Sequence, residues 1–537
     1  MLMQMGIKRV TLIIMLSMLM ILVACGRNIN SHDESCYEPA YIEYNDAPTY
    51  EYISLEQEPP EYVAIEERTP EPLAQLHPSL SWRLEPAFSA IWVRPFSDNL
   101  AVVHGYDGSV GVIDINGNFV VPLDRTFQNI NCFYNGHAVA SIPYNQLWRE
   151  GVIDREGNVV IPFEFFTLTP IAGGRGFIGS KILDEDNWLT VEGAIDIYGN
   201  ILIPFEFSGV RGFGVRYISE GMFSVVQGYK YGHVRWGGDV EAIEFIYSVY
   251  LCDNWLAAPF HNFSEGLAVV GKQIGGNPRN RIYGYVDRYG EVVIPFQYSW
   301  ASSFSQGLAF VAKEVGQDYY GYAIFESSLI DRQGNTVVTF ESPMWVESFS
   351  DDGLAIVSTP YGIGFINKSG KIVVEPPPSE HLRPFSYGLA AFVLEGGDSW
   401  FGNYGLGGFM NRQGEVVIPA VFDLILEPAH NVPAIISQFE YGLAIVARPH
   451  YERRLFGLID TQGNIVVPIE FDYIGSFHNG LARVSVGQQY PYDDMRMGFV
   501  NTDGEFVVPL VLEDATAFSG GVAAVKQNGL WGIILLN

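Results

Sequence analysis

Two kinds of short apolar run alternate along most of the chain, and glycine or proline bounds each of them. From residue 96 onward, one kind follows a Gly-Leu-Ala step, as in FSEGLAVV (263–270) and FSQGLAFV (304–311). The other kind ends in proline, as in GVIDREGNVVIP (151–162) and GLIDTQGNIVVP (457–468). Short runs rich in Val and Ile are typical of buried β-strands. The pattern therefore predicts an all-β fold made of many short strands.

The two phrases return in one order about ten times, with a period of roughly 34 to 52 residues. Within the second phrase, Asp-x-x-Gly suits a type I turn followed by a glycine with positive φ, so each unit should contain a tight hairpin. The proline lacks an N–H donor, and we expect it to end strand pairing. Aromatic residues that follow it, such as Phe205 and Phe471, are expected to pack on the neighbouring unit.

One such unit cannot bury its own apolar face, so the units must stack into a tandem array of β-hairpin or meander repeats. About ten units exceed the four to eight blades of most propellers, which favours an open, solenoid-like array. The alternative is a closed, propeller-like ring. It is suggested by the chain ends, because the segment near Trp82 looks like the tail of a unit and the chain stops after Trp531 without a last strand.

The linked phrases resemble the WG (or KWG) repeat family of bacterial proteins. The resemblance covers about 440 residues, although most copies replace the tryptophan and Trp531-Gly532 keeps the pair at the key position. The family implies a β-repeat array and no single activity.

Residues 1–24 have the pattern of a secretory signal peptide. Lys8 and Arg9 precede an apolar stretch at residues 10–24, which is short for a membrane span of about 20 residues. The stretch ends in Leu-Val-Ala-Cys and resembles the lipobox of bacterial lipoproteins, in which the cysteine is lipidated and becomes the new N-terminus. The resemblance implies lipidation of Cys25 and a lipid-anchored protein on the extracytoplasmic face of the cell membrane.

Residues 25–78 form a predicted flexible tether. Twelve acidic residues, two arginines and seven prolines lie between residues 27 and 78, without hydrophobic periodicity. Such a linker repels itself and spans on the order of 40 Å. The repeat region is then residues 79–537.

The formal net charge of −30 disfavours nucleic-acid binding, because a polyanion repels phosphate. The cysteines form no CxxC pair. Cys132 and Cys252 can pair only if the fold brings them together, and we expect two buried free thiols instead.

The repeated acid of the Asp-x-x-Gly turn is the first candidate for chemistry. Asn occupies the same position at residues 367, 411 and 501, and Asn caps a turn as well as Asp does but cannot act as a base. The position therefore calls for a hydrogen-bond acceptor, and its role is structural. The sequence contains no HExxH, GxSxG, P-loop or dinucleotide-binding motif, so we predict no catalytic residue, cofactor or metal site.

Aromatic residues outside the strand phrases are the remaining candidates for ligand contact: Trp188, Trp255, Trp300, Trp345 and Trp400. Packing between units is the alternative role for each of them. We expect a surface-tethered binding or adhesion scaffold for cell-wall glycan or protein, with no enzymatic activity. A glycan-acting hydrolase with acids on insertion loops and a structural envelope spacer without a ligand are the alternatives.

Overall fold

The structure is a computed structural model that describes residues 72–145, 147–171, 174–184, 189–207, 215–219, 222–227, 230–235, 247–248, 263–274, 281–320, 322–341, 344–394, 406–423, 438–450, 453–487 and 495–537. Throughout these residues the regular structure is β-strand. The predicted all-β fold is confirmed.

The strands fall into eleven successive units, here called units 1 to 11. β1 (Leu80–Phe88) precedes unit 1, which holds β2 (Trp92–Val93), β3 (Leu100–His104), β4 (Val110–Asp114) and β5 (Phe119–Asp124). Unit 2 holds β6 (Asn129–Ile130), β7 (His137–Tyr144), β8 (Leu147–Asp154) and β9 (Val159–Phe165). Unit 3 holds β10 (Thr167–Pro170), β11 (Gly176–Asp184), β12 (Leu189–Asp196) and β13 (Ile201–Phe207). Unit 4 holds β14 (Val215–Ser219), β15 (Met222–Gln227), β16 (Lys230–Arg235) and β17 (Tyr247–Ser248).

Unit 5 holds β18 (Leu267–Gln273), β19 (Arg281–Asp287) and β20 (Val292–Tyr298). Unit 6 holds β21 (Trp300–Ala301), β22 (Leu308–Gln317), β23 (Ala323–Asp331) and β24 (Thr336–Thr339). Unit 7 holds β25 (Trp345–Val346), β26 (Leu354–Thr359), β27 (Gly362–Asn367) and β28 (Ile372–Val374). Unit 8 holds β29 (Ser379–Leu382), β30 (Ala390–Leu394), β31 (Leu406–Met410) and β32 (Val416–Asp423).

Unit 9 holds β33 (Leu443–His450), β34 (Arg453–Asp460) and β35 (Ile465–Phe471). Unit 10 holds β36 (Tyr473–Ile474), β37 (Leu481–Val486), β38 (Arg496–Asn501) and β39 (Phe506–Leu512). Unit 11 holds β40 (Asp514–Ala515), β41 (Val522–Gln527) and β42 (Leu530–Leu536). Each unit is an antiparallel meander in chain order, and units 8 and 9 join into one sheet through the single pair Asp423 and Ala447.

Two kinds of tight turn connect the strands of a unit. The Asp-x-x-Gly turn has the predicted geometry: in unit 2, the Gly157 N–H donates to the Asp154 carbonyl over 3.1 Å, and Gly157 has a φ of +86°. The turn before the second strand has two central residues with positive φ, as at Tyr441 (53°) and Gly442 (78°). Positive φ at both positions is the mark of a type I′ hairpin turn.

The prolines of the second phrase do not end strand pairing, so that expectation is wrong. In unit 2, Val152 pairs with Ile161 and Glu150 pairs with Phe165, so β9 runs on past Pro162 through a bulge. An edge strand tolerates proline there because its outer side needs no donor.

The apolar core lies between consecutive units rather than within them. Alternating residues of a central strand face opposite neighbours: Val102 packs towards Ile130 of unit 2, while Ala101 packs towards Ala524 of unit 11. The aromatic residues after the proline take part, since the rings of Phe205 and Phe165 lie 5.5 Å apart across units 3 and 2. Stacking of neighbours is therefore what buries each face.

The first and last units are neighbours as well. β1 pairs with β42 and supplies the fourth strand of unit 11, with Leu84 opposite Ile533. One shared core joins Val93 and Val103 of unit 1 to Trp531 of unit 11. The tandem array is confirmed, and its two ends meet as in the ring alternative.

Residues just before the repeat region also pack on unit 11. Ala74 is buried, and its N–H donates to the Gln527 side chain over 3.0 Å. The ordered contacts thus begin within the segment that the sequence assigned to the tether. Residues 1–71, which include the predicted signal peptide and Cys25, lie outside the described residues.

Cys132 is disulfide-bonded. The expectation of a free thiol at this position is therefore wrong. Cys252 lies outside the described residues.

Candidate functional site

In eight of the eleven units, as far as the chain is described, the first strand has two to four residues and lies at one edge of the sheet. In units such as unit 1, a type I′ turn follows this strand. Within it a triplet recurs, in which the middle residue is aliphatic and buried. The triplets are Trp92-Val93-Arg94, Asn129-Ile130-Asn131, Thr167-Leu168-Thr169, Trp300-Ala301-Ser302, Trp345-Val346-Glu347, His381-Leu382-Arg383, Tyr473-Ile474-Gly475 and Asp514-Ala515-Thr516.

The two outer residues of each triplet point to the opposite side from the middle one, because side chains alternate along a strand. The middle residues face the preceding unit, as Val346 does in the core shared with unit 6. Outer residues reach either neighbour: the Arg94 guanidinium donates to the Asn129 side chain of the following unit over 3.4 Å. Trp345 instead packs on Trp300 and Phe310 of the preceding unit. We call this set of outer residues the first-strand edge.

Trp300 and Trp345 belong to the first-strand edge of units 6 and 7. Their ring centroids lie 4.0 Å apart, and each lies 5.4 Å from the ring of Phe310. Both indoles are half-buried, so they pack between units and also reach the surface. Trp188, Trp255 and Trp400 lie outside the described residues.

Charged residues continue this edge into units 7 and 8. The Glu347 side chain reaches solvent, but desolvation by the surrounding protein raises its pKa while Arg383 opposes that shift. Burial lowers the pKa of His381, and the positive charge of Arg383 lowers it further.

A second group of desolvated polar side chains lies in unit 1. The His104 ring stacks on Trp92 with centroids 3.8 Å apart, and Arg94 lies over the same indole. Burial, and then the charge of Arg94, lower the pKa of His104 to about 4, so this imidazole is neutral at neutral pH. Burial raises the pKa of Asp514 in unit 11, against the opposing charges of nearby cations.

The repeated acid of the Asp-x-x-Gly turn has the structural role predicted for it. The Asp154 carboxylate accepts the N–H groups of Glu156 and Asn158 over 3.0 and 2.8 Å. Asn411 accepts the equivalent N–H groups of unit 8 over 3.0 Å. Side-chain and backbone donors from Asn335 likewise hold the pKa of Asp331 below its usual range.

Chemically, the first-strand edge offers aromatic faces, amides, one or two cations and isolated carboxylates. Within the part of the chain that is described, no three His, Cys, Asp or Glu side chains come together as a metal site would require. The same residues contain no helix long and apolar enough to cross a bilayer. The groups present can stack and hydrogen-bond, which suits recognition.

Comparison with known proteins identifies the repeats. The sequence model described as "WG containing repeat" matches residues 151–178, 193–231, 283–314, 363–397, 408–432, 456–490 and 497–531. The chain is a WG repeat protein. Curated proteins give no sequence match to it.

Solved structures resemble this WG repeat protein only distantly. A eukaryotic initiation factor is 10% identical, with 82% of this chain and 98% of that chain covered and a TM-score of 0.40. AztD of Citrobacter koseri is 14% identical, with 60% and 91% covered and a TM-score of 0.28. Dipeptidyl peptidase 4 of Porphyromonas gingivalis is 8% identical, with 79% and 60% covered and a TM-score of 0.27.

The position that names the WG repeat lies at the junction between units. The Trp531 indole N–H donates to the Ala90 carbonyl of unit 1 over 3.1 Å. Elsewhere in this WG repeat protein other residues make the equivalent link: the Glu192 carboxylate accepts the Val215 N–H of unit 4 over 2.8 Å. The tryptophan position thus joins neighbouring units and is not part of the first-strand edge.

Sequence analysis missed most of the first-strand edge, including Arg94, Glu347, His381 and Arg383. Two-residue strands are too short to give a periodic signal. The signal that was present is positional, because each triplet precedes the phenylalanine of the first phrase by one or a few residues. Aligning the units on that phenylalanine would have exposed the alternation around each buried aliphatic residue.

Proposed function

We propose that this WG repeat protein is a lipid-anchored, extracytoplasmic binding scaffold that holds cell-wall glycan at its first-strand edge. The observation that carries the proposal is the contrast between two sets of positions. The strand phrases, the turns and the buried middle residues recur with the same residue types from unit to unit. The outer triplet positions instead hold Trp, Asn, Thr, His, Tyr, Asp, Arg, Ser, Glu and, once, Gly.

A repeated framework with varied side chains at equivalent accessible positions is suited to presenting those side chains to a ligand. The framework needs its glycines, aliphatic residues and turn acceptors for packing alone. The outer positions range from buried to exposed and, Gly475 apart, hold polar or aromatic side chains, which packing alone does not demand. A ligand bound along the array would account for the side chains at these positions.

The proposed compartment rests on the N-terminal sequence and on one cysteine. Residues 1–24 and Cys25 resemble a lipoprotein signal and its lipidation site. The disulfide at Cys132 supports the same compartment, because disulfides persist in oxidising, extracytoplasmic environments and are rare in the cytosol.

Net charge and the available side chains favour a neutral glycan over the other ligands considered. The formal charge of −30 repels nucleic acid and anionic polymers. A stable protein partner would need about 800 Å² of complementary surface on each side. A glycan chain needs aromatic faces and hydrogen-bonding groups, and the first-strand edge offers both.

The test is retention of the full chain, purified in detergent, on insoluble cell-wall glycan and separately on solubilised surface proteins. We expect saturable retention on the glycan, and its loss when soluble wall fragments compete. Retention on surface proteins alone would overturn the glycan proposal. Retention on neither would overturn the binding function.

A further inference from the structure

The hairpin formed by β22 and β23 of unit 6 extends beyond the strands that flank it. β21 pairs with β22 at Ala312, and β24 pairs with β23 from Ser328 onward. Every described residue from 313 to 326 is exposed. We call these residues the unit 6 ribbon. It is a two-stranded hairpin with solvent on both faces, and such a hairpin is only marginally stable by itself in water.

Aromatic and apolar side chains cover much of the unit 6 ribbon. Tyr319, Tyr320 and Tyr322 are 95%, 78% and 68% exposed, and Ile324 and Phe325 are exposed as well. An aromatic side chain has about 150–250 Å² of surface, so the three tyrosines present about 350–600 Å². That is already the size of the largest apolar patch on a typical monomer, while a stable dimer needs about 800 Å² from each copy. The ribbon as a whole thus offers surface on the scale of a dimer interface.

The turn of the ribbon does not itself require these tyrosines. The N–H groups of Tyr320 and Tyr322 donate to the Asp318 carboxylate over 2.9 and 2.8 Å, as in the other Asp-x-x-Gly turns. The same central positions of the turn in unit 2 hold Arg155 and Glu156. The turn geometry is therefore compatible with fully polar residues, and the aromatic rings remain available to another molecule.

The β22 edge of the ribbon is obstructed. A register shift between Glu314 and Gly316 places a bulge at Val315. The Glu314 N–H also donates to the Ser299 side chain over 3.1 Å. A bulge interrupts the regular ladder of donors and acceptors that a further strand would need, and it is a common protection of sheet edges.

The β23 edge, in contrast, is regular and open. The Ser327 carbonyl on this edge accepts the Phe340 N–H, which marks the side of β23 that faces β24. Backbone groups alternate in direction along a strand, so Ala323 and Phe325 turn their N–H and carbonyl groups to the same side. As far as the chain is described, no third strand pairs with them. A strand from another chain can satisfy these groups, whereas a glycan or a lipid surface supplies no matching ladder.

We propose that the open edge pairs with the same edge of a second copy of this chain. The two β23 strands run antiparallel about a two-fold axis that passes between the two Ile324 residues. In this register Ala323 of one copy exchanges N–H···O bonds with Phe325 of the other, which are the groups that point outward. Such an isologous contact closes at two copies and gives a four-stranded sheet across the axis.

The charges on the ribbon are compatible with this register. Glu326 lies opposite Tyr322 of the other copy, whose hydroxyl can donate to the carboxylate. Lys313 lies opposite Glu326 within one hairpin and offsets its charge. No two like charges are therefore placed directly opposite each other. The same alignment carries the turn of each hairpin to the base of the other, where the exposed tyrosines gain a surface to pack on.

Sedimentation equilibrium of the full chain in density-matched detergent measures the mass of the assembly. We expect a dimer for wild type and a monomer for Ile324→Lys, because the substitution places two like charges opposite each other at the axis. Ile465→Lys in unit 9 is the matched control, since Ile465 and Ile324 are 52% and 46% exposed. The control should remain dimeric, and both variants should unfold at the same temperature as wild type.

Cross-linking tests the register. Ile324→Cys should give an intermolecular disulfide when copper phenanthroline is added as oxidant, because directly opposite side chains lie within reach of a disulfide. Ile465→Cys is the control and should give none. Peptide mapping then identifies the linked residues.

Two results would overturn the proposal: a wild-type chain that is monomeric, or a dimer that Ile324→Lys leaves intact. A monomeric chain that binds phosphatidylethanolamine vesicles, and loses this binding in Ile324→Lys, would also overturn it and assign the ribbon to a lipid surface. The dimer does not depend on glycan binding, so its failure would leave the proposed function untouched.

Discussion

At the scale of single residues, Glu150 occupies the position at which the repeat carries its tryptophan, directly before the glycine. Its carboxylate accepts the Leu168 N–H of unit 3, across the junction between units 2 and 3. Burial raises its pKa to about 7, and the hydrogen bond from Leu168 only partly offsets that shift. The folded protein therefore favours the protonated form, and the stability this confers is complete below the unfolded pKa of about 4.5 and lost as pH rises through 7.

We predict that Glu150→Gln raises the melting temperature at pH 8 and leaves it unchanged at pH 4. Glutamine keeps an oxygen for the Leu168 N–H but carries no charge that burial penalises. Calorimetric scans of wild type and variant at both pH values test this. Glu156→Gln, at an exposed turn position of the same unit, is the control. An equal shift at both pH values would contradict the role assigned to the charge.

The structural role of the turn acid was predictable from sequence, because some units carry Asn in place of Asp at that position. Asp154 and Asn411 occupy the same position, so only a property that both side chains share can be required there. That property is a hydrogen-bond acceptor for two backbone N–H groups. The inter-unit role of Glu150 was not predictable in this way, because its partner Leu168 belongs to the next unit and nothing in the repeat phrase names it.

At the scale of elements, one glycine and one proline act together in units such as unit 2. A Cβ on Gly151 would lie 2.6 Å from the Ile161 carbonyl oxygen, because the bulge around Pro162 brings β9 close to β8. Unit 6 lacks both residues: Ser328 replaces the glycine and Thr339 the proline, and the two pair directly, so the register shift next to the glycine is absent there. Both residues are visible in the sequence. Only the strand register shows that the glycine makes room for the bulge at the proline.

We predict that Gly151→Ala destabilises the protein by about 1–3 kcal/mol, the usual cost of an overpacked site. Backbone atoms of the bulge must move to admit the methyl group. The matched control is Gly316→Ala in β22, where an added Cβ would meet no atom within 4 Å, and it should cost much less. Denaturant titration of both variants measures the difference, and equal losses would show that the bulge does not impose the glycine.

At the scale of the whole molecule, the sequence predicted the repeat and the split of one unit between the two chain ends. It left the arrangement of the units open. The split ends were visible because the Trp82 segment resembles the end of a unit. Whether they meet depends on the small rotation between successive units, which accumulates over the array and has no signature in any one repeat. The first-strand edge escaped sequence analysis for a related reason, since its residues become neighbours only when the units stack.

The meeting of the ends gives the prediction that tests the arrangement as a whole. Ser81 lies directly opposite Leu535 across the β1–β42 pair, although more than 400 residues separate them in the chain. We predict that Ser81→Cys combined with Leu535→Cys forms an intramolecular disulfide on oxidation and raises the melting temperature reversibly, because it restricts the unfolded chain. Peptide mapping identifies the link, and each single variant serves as a control. If the two ends did not meet, the double variant would form only intermolecular disulfides, and the array would have to be open.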